Sequence, residues 1–181
     1  MGERREVSPP ACSKQERGNN MDIRLRNMTS LYLVDGERVL CLYRMGSRVA
    51  NNQYIGSAGG HFEESELNDP KACILREMGE ELGLSENDVE KLALRYITHR
   101  LTDGEIRQNY YFFGRLKEEK ELKSTEGTLT WVAFAEVPEL QMPVSAKQMI
   151  LHYLQTGRFN DKLYCGVTEK AGTRFVEMKE F

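Results

Sequence analysis

The chain has 181 residues, 40% hydrophobic and 29% charged, which suits one globular domain with its own core. Lys and Arg number 25 against 28 Asp and Glu, a formal net charge of -3 that argues against a general binder of nucleic acid or anionic membrane, because both are polyanions. No apolar run reaches the ~20 residues of a spanning helix, and the four cysteines (Cys12, Cys41, Cys73, Cys165) lack C-x-x-C spacing, so a reduced, cytoplasmic protein is expected.

Residues 1–20 are polar, carry Pro9 and Pro10, contain no signal-peptide-like stretch, and are expected to be disordered, with Met21 an alternative start. Met28–Val34 and Arg38–Tyr43 read as strands around an Asp35-Gly36 turn. Residues 45–52 read as a loop, and Gln53–Phe62 is too rich in glycine for a helix. Pro70–Leu82 is the strongest helix: Pro70 suits its first turn, Gly83 its stop, and Leu75, Met78 and Leu82 form an apolar face. Ser85 and Asp88 read as a cap before a helical turn. Ala93–Leu101 and Ile106–Leu116 are strands about the turn at residues 102–105; 117–125 is a charged loop; Thr128–Ala135 is a strand. Ser145–Gln155 reads as a helix burying Met149, Leu151 and Leu154 and ending at Gly157, followed by a hairpin of Lys162–Thr168 and Thr173–Met178. The domain is expected over 21–157, with 158–181 as its hairpin extension.

Glu77, Glu80 and Glu81 fall at i, i+3 and i+4, on one stripe of the first helix. Like charges there repel each other, and the helix dipole disfavours anions in that C-terminal half. A solvated acidic face is the bland explanation. Against it stand the adjacent Gly59-Gly60 and the mid-helix Gly79, a residue that costs about 1 kcal/mol in helix stability. Clustered hard oxygens suit Mg²⁺ or Mn²⁺.

The segment over 59–84 resembles the Nudix box, G-x5-E-x7-R-E-U-x-E-E-x-G-U, U being a bulky aliphatic. Gly60 and Glu66 match its first part, and Arg76-Glu77-Met78-Gly79-Glu80-Glu81-Leu82-Gly83-Leu84 match its second. Nine residues separate Glu66 from Arg76 where the pattern has seven; with the extra two placed before Pro70, Glu66, Glu63 and Glu64 all remain candidates to meet Arg76. The resemblance implies an α+β fold, an α/β/α sandwich around a mixed sheet. It also implies metal-dependent hydrolysis of a nucleoside diphosphate linked to a moiety X. By that resemblance Glu77, Glu80, Glu81 and the Gly59 carbonyl hold the Mg²⁺ or Mn²⁺, and Arg76 orients Glu77. The general base is Glu77 or, on a later loop, Glu126.

On the strand Ile106–Leu116, Arg107, Asn109, Tyr111 and Phe113 share one face and Gln108, Tyr110 and Phe112 the other; one face is expected in the core and the other to offer a purine an amide and an aromatic ring. Asn109, Tyr111, Trp131 and His61 are the substrate-binding candidates, with core packing the alternative for the aromatics. Cys73 is expected to be buried. The layout resembles the mutator-type 8-oxo-dGTP diphosphatases. ADP-ribose members often carry a proline about sixteen residues past the box, and 94–103 contains none. The expected substrate is a small nucleotide, a plain or modified nucleoside triphosphate cleaved to monophosphate and pyrophosphate by a monomer or homodimer. ADP-ribose or another nucleotide sugar, and a non-catalytic nucleotide sensor, are the alternatives.

Overall fold

The computed structural model describes residues 23–45 and 52–179, so the lead-in over 1–20, the Met21 start and most of the loop expected over 45–52 fall outside it. Eight strands form one mixed sheet: β1 (Arg24–Asp35), β2 (Arg38–Arg44), β3 (Gln53–Gly56), β4 (Val89–Thr102), β5 (Glu105–Leu116), β6 (Gly127–Ala133), β7 (Leu163–Glu169) and β8 (Gly172–Met178). Helices α1 (Pro70–Leu82) and α2 (Val144–Gln155) cover its two faces.

The expected hairpin of the first two strands is brief. Only Leu33, Val34 and Asp35 of β1 pair with β2, at Leu40, Val39 and Arg38. Over Arg24–Leu33, β1 instead runs parallel to β5, from Arg24↔Glu105 to Leu33↔Gly114. β2 pairs along its whole length with β6 and along Cys41–Arg44 with β3. A strand has two edges, so β1 and β3 share the edge opposite β6, and the sheet forks there. Beyond the fork the glycine segment lies along β1: Leu31 N donates to Ala58 O at 2.7 Å and Thr29 N to Gly60 O at 2.8 Å. The C-terminal hairpin joins the sheet through the parallel pairing of β7 with β4.

β1 is buried on both faces, and alternation sends its side chains to different partners. Leu31 and Leu33 pack with Ile74, Met78 and Leu82 of α1, while Tyr32 packs with Phe113, Met149 and Tyr153 toward α2. Each fully buried Leu contributes about 1.5–3 kcal/mol. Phe113 stacks on Tyr153 with centroids 3.9 Å apart. On α2 the buried residues are Ser145, Ala146, Met149, Ile150 and Tyr153. Leu151 and Leu154 are only partly buried, a correction to the expected face by part of a turn.

α1 keeps its expected bounds because its ends are chemically marked. The Asp69 carboxylate accepts from Lys71 N at 3.1 Å and Ala72 N at 3.0 Å, a cap worth about 1 kcal/mol. Gly83 ends the helix at φ 64°, a left-handed conformation natural to glycine. A Cβ on Gly79 would meet only Leu84 O at 3.7 Å, an ordinary contact, so packing does not explain that glycine.

Candidate active site

Arg76 is the hub of the acidic helix. It donates to both Glu66 oxygens, from Nε at 2.7 Å and Nη2 at 3.0 Å. Nη1 reaches Glu77 at 2.8 Å and Glu80 at 3.0 Å, and Nη2 reaches the His61 carbonyl at 3.0 Å. The question over the longer spacing is thus answered: Glu66 makes the two-pronged contact, Glu63 lies 3.9 Å away, and the turn closed by Asp69 N donating to Glu66 O at 2.8 Å takes up the extra chain before Pro70. Glu66 is buried, and the Arg76 hydrogen bonds hold its carboxyl down to about 2. Glu77 is also buried, which raises its carboxyl, with Arg76 opposing. A Cβ on Gly60 would strike the Glu77 carboxylate, so the glycine lets the backbone close over that acid.

The expected single cluster of Glu77, Glu80 and Glu81 is divided. Arg76 draws Glu77 and Glu80 to itself, while Glu81 turns the other way. Among the described residues no three acidic, histidine or cysteine side chains encircle one point. Glu81 accepts from Gly59 N at 2.8 Å and meets the carboxyl of Glu126. Burial first, then the Glu126 carboxyl, pushes Glu81 up to about 7. Arg44 anchors Glu126 from its far side at 2.7 Å. The Gly59 N–H thus fixes Glu81.

Glu81, Glu126 and Gly59 line one end of a cavity of about 140 Å³. Its floor is the α2-facing row of β1 and β5: Met28, Ser30 and Tyr32 beside Asn109 and Tyr111. Asn109 and Tyr111, two of the four substrate-binding candidates, line this cavity. Trp131 and His61 are outside the cavity. Trp131 packs against the α1-side core, with the Arg38 guanidinium 5.0 Å from its ring. His61 keeps much of its surface in solvent, its ring contacts Arg26, and partial desolvation and that cation lower its pKa. Cys73 is buried, which pushes its thiol up to about 11 and leaves it a poor nucleophile.

Arg44, Arg100 and Tyr32 also line the cavity and were missed. Arg100 was findable: Asp103-Gly104 makes a two-residue turn with φ 51° and 73°, and that register sets Arg100 directly opposite Arg107.

The sequence model of the NUDIX domain matches residues 24–153. No curated protein matches the chain. Among solved structures it is similar to the mutator MutT protein of Bacillus halodurans, at 26% identity and TM-score 0.59 over 83% of this chain and 97% of that one. A NUDIX hydrolase of Nitrosomonas europaea shares the fold at 13% identity and TM-score 0.62, over 80% and 78% of the two chains. So does the NUDIX domain of Shewanella oneidensis NrtR, complexed with ADP ribose, at 12% identity and TM-score 0.54 over 82% and 96%.

Proposed function

The chain belongs to the NUDIX family, and from that premise we propose that it is a pyrophosphohydrolase that needs Mg²⁺ or Mn²⁺ and cleaves a plain or modified nucleoside triphosphate, such as 8-oxo-dGTP, to the monophosphate and pyrophosphate. The observation that carries this reading is the contact of Glu81 with Glu126 at one end of a cavity floored by Asn109 and Tyr111.

The donor set fits a hard divalent ion. Two carboxyls pressed together share a proton or a cation, and burial first, then the Glu126 carboxyl, pushes Glu81 up to about 7. Glu81 and Glu126, with Glu77 behind them and Glu80 at the exposed rim, would hold the ion. When bound, it supplies charge neutralisation at the phosphate oxygens and a more acidic water.

The residues divide the remaining work. Arg76 locks Glu77 and Glu66 in place and positions the helix acids. The Gly59 N–H fixes Glu81. Glu126 is the proton acceptor for the attacking water: it stands at the cavity wall, oriented by Arg44, whereas Glu77 is buried against Arg76. Asn109 offers an amide to a base edge and Tyr111 an aromatic wall. The cavity is smaller than the roughly 300 Å³ at which drug-sized pockets begin, so it takes one ring system and leaves the phosphates toward the acids.

The test is product release over a panel of nucleoside triphosphates, 8-oxo-dGTP and ADP ribose with Mg²⁺ or Mn²⁺. Monophosphate and pyrophosphate from a triphosphate are expected. ADP ribose as the sole substrate would redirect the reading, and binding without turnover would make the protein a sensor.

A further inference from the structure

On the same face of the sheet, beyond the Tyr32–Phe113 stack, lies a second and larger cavity of about 840 Å³. Tyr32 lines the catalytic cavity and Phe113 lines this one, so the two back onto each other across that pair of rings. The irregular start of β4 shapes it. Pairing with β5 jumps from Glu90↔Arg115 to Ala93↔Phe113, and again from Leu94↔Phe112 to Tyr96↔Tyr111. The residues passed over are Lys91, Leu92 and Arg95, and all three line the cavity. Bulges re-aim side chains in this way. Lys91 also holds φ at 52°, a left-handed conformation that is costly for a residue with a Cβ, and such strain collects at ligand sites.

Positive charge collects here and is poorly answered. Lys91, Arg95, Arg115 and Arg158 line the cavity against two acids, Glu37 and Asp161, both exposed; Glu90 reaches Arg115 at 3.6 Å. Arg95 is only 8% exposed. It donates to the carbonyls of Lys162 at 3.0 Å and Gly157 at 2.9 Å and to that of Asn160. Its one ion pair among the described residues is with Asp161, at 4.0 Å and out in solvent. The carbonyls satisfy its N–H groups and leave its charge uncompensated, which is costly for a buried group. Arg158 follows directly after Gly157. Its guanidinium lies 5.2 Å from the Phe134 ring and 4.7 Å from the Phe159 ring, Nη1 donates to Glu37 at 2.8 Å, and Nε is buried with no acceptor among the described residues. Phe159 is itself 70% exposed, which leaves an aromatic face open beside that guanidinium.

We propose that this cavity is a second binding site, distinct from the catalytic one, for a mononucleotide: its phosphate beside Arg95 and Arg158, its base on the Phe159 ring. Guanidinium groups take phosphate through paired N–H donors. A phosphate monoester carries a charge of about −1.5 to −2, enough to answer both arginines. Bases stack on open aromatic rings. The volume falls within the roughly 300–1,000 Å³ of ligand sites. It has room for base, sugar and phosphate together, where a free phosphate would leave most of it empty. The site goes beyond the hydrolase reading and needs neither the metal nor the helix acids.

The experiment uses the full chain without divalent metal. Affinities of AMP, adenosine and inorganic phosphate are read from the backbone amide shifts of Gly36, Gly114 and Asn160, which line this cavity and not the catalytic one. AMP is expected to move these amides saturably and to bind about tenfold tighter than adenosine or better. Arg158→Gln should weaken AMP by about tenfold or more. Phe159→Ala should weaken AMP severalfold and leave phosphate unchanged. Glu37→Gln should tighten AMP severalfold, because it releases Arg158 and removes a repulsive charge; a gain of affinity cannot come from a damaged fold. Asn109→Ala, in the catalytic cavity, should leave these affinities unchanged. The proposal is overturned if millimolar AMP leaves the three amides unmoved, if adenosine binds as tightly as AMP, if Arg158→Gln has no effect, if Glu37→Gln fails to tighten, or if Asn109→Ala abolishes the shifts. Since no turnover is measured, failure of the hydrolase reading would leave this test intact.

Discussion

Replacing Arg76 with Met removes the guanidinium from between Glu66, Glu77 and Glu80. Two of these carboxylates are strongly buried, at 6% exposure for Glu66 and 8% for Glu77, and Glu66 receives two N–H donors from Arg76. Breaking a buried pair from one side costs about 3–5 kcal/mol, because a charge is left behind. The lower end applies, since the Arg76 side chain is 23% exposed and the Glu80 contact, at 61% exposure, adds little. The expected loss is about 3 kcal/mol, which at an m-value of about 2 kcal/mol/M lowers the urea midpoint by about 1.5 M. In a Glu66→Gln background the same replacement should do less harm by at least about 1 kcal/mol, because the stranded charge is gone. The pH dependence adds a check of sign. The folded carboxyl of Glu66 lies at about 2 against an ordinary 4.5, so its contribution is complete above 4.5 and is lost as pH falls toward 2. That contribution is about 1–2 kcal/mol after solvent screening, and it should vanish from the acid limb of Arg76→Met. A loss below about 1 kcal/mol, or equal losses in both backgrounds, would refute the hub assignment.

Glu81→Gln should abolish turnover. Because the folded Glu81 carboxyl sits near 7, above its ordinary 4.5, its ionisation destabilises the fold as pH rises through that window. The metal-free variant should therefore match the wild type at pH 5 and exceed it by about 1–2 kcal/mol at pH 8 in chemical denaturation. Excess Mn²⁺ should raise the wild-type melting temperature relative to chelator and leave Glu81→Gln nearly unmoved, since metal binds the assembled acids. Asn109→Ala should lower kcat/KM for purine over pyrimidine triphosphates by about 1–3 kcal/mol, with an unchanged melting temperature. A uniform loss with a lower melting temperature would return Asn109 to a structural role.

Local chemistry was legible in the sequence. Asp69-Pro70 and Gly83 bracket α1 at its observed bounds, and Asp103-Gly104 sets the β4–β5 register through Arg100↔Arg107. Long-range pairing was not. Nothing local to Met28 says that β1 will run parallel to β5, and β4 starts at Val89 because it continues through register shifts that disrupt alternation. The acids were legible as a helix stripe. Their division was not, since it depends on Arg76 reaching back to Glu66 and on Glu126 arriving from the start of β6. Trp131 misled because a lone tryptophan serves a core as readily as a pocket.

The parallel pairing of β1 with β5 also has a consequence for biosynthesis. Each of its register partners lies roughly eighty residues further along the chain, a strongly non-local closure of the kind that slows folding. As the chain leaves the ribosome, β1 emerges first and its apolar Leu31-Tyr32-Leu33 stretch waits through the synthesis of β2, β3, α1 and β4 for the strand that completes it. At about 5–20 residues per second that interval lasts several seconds. A chain stalled before Glu105 should consequently expose its most buried strand, which makes that stretch the segment for chaperones to cover during synthesis.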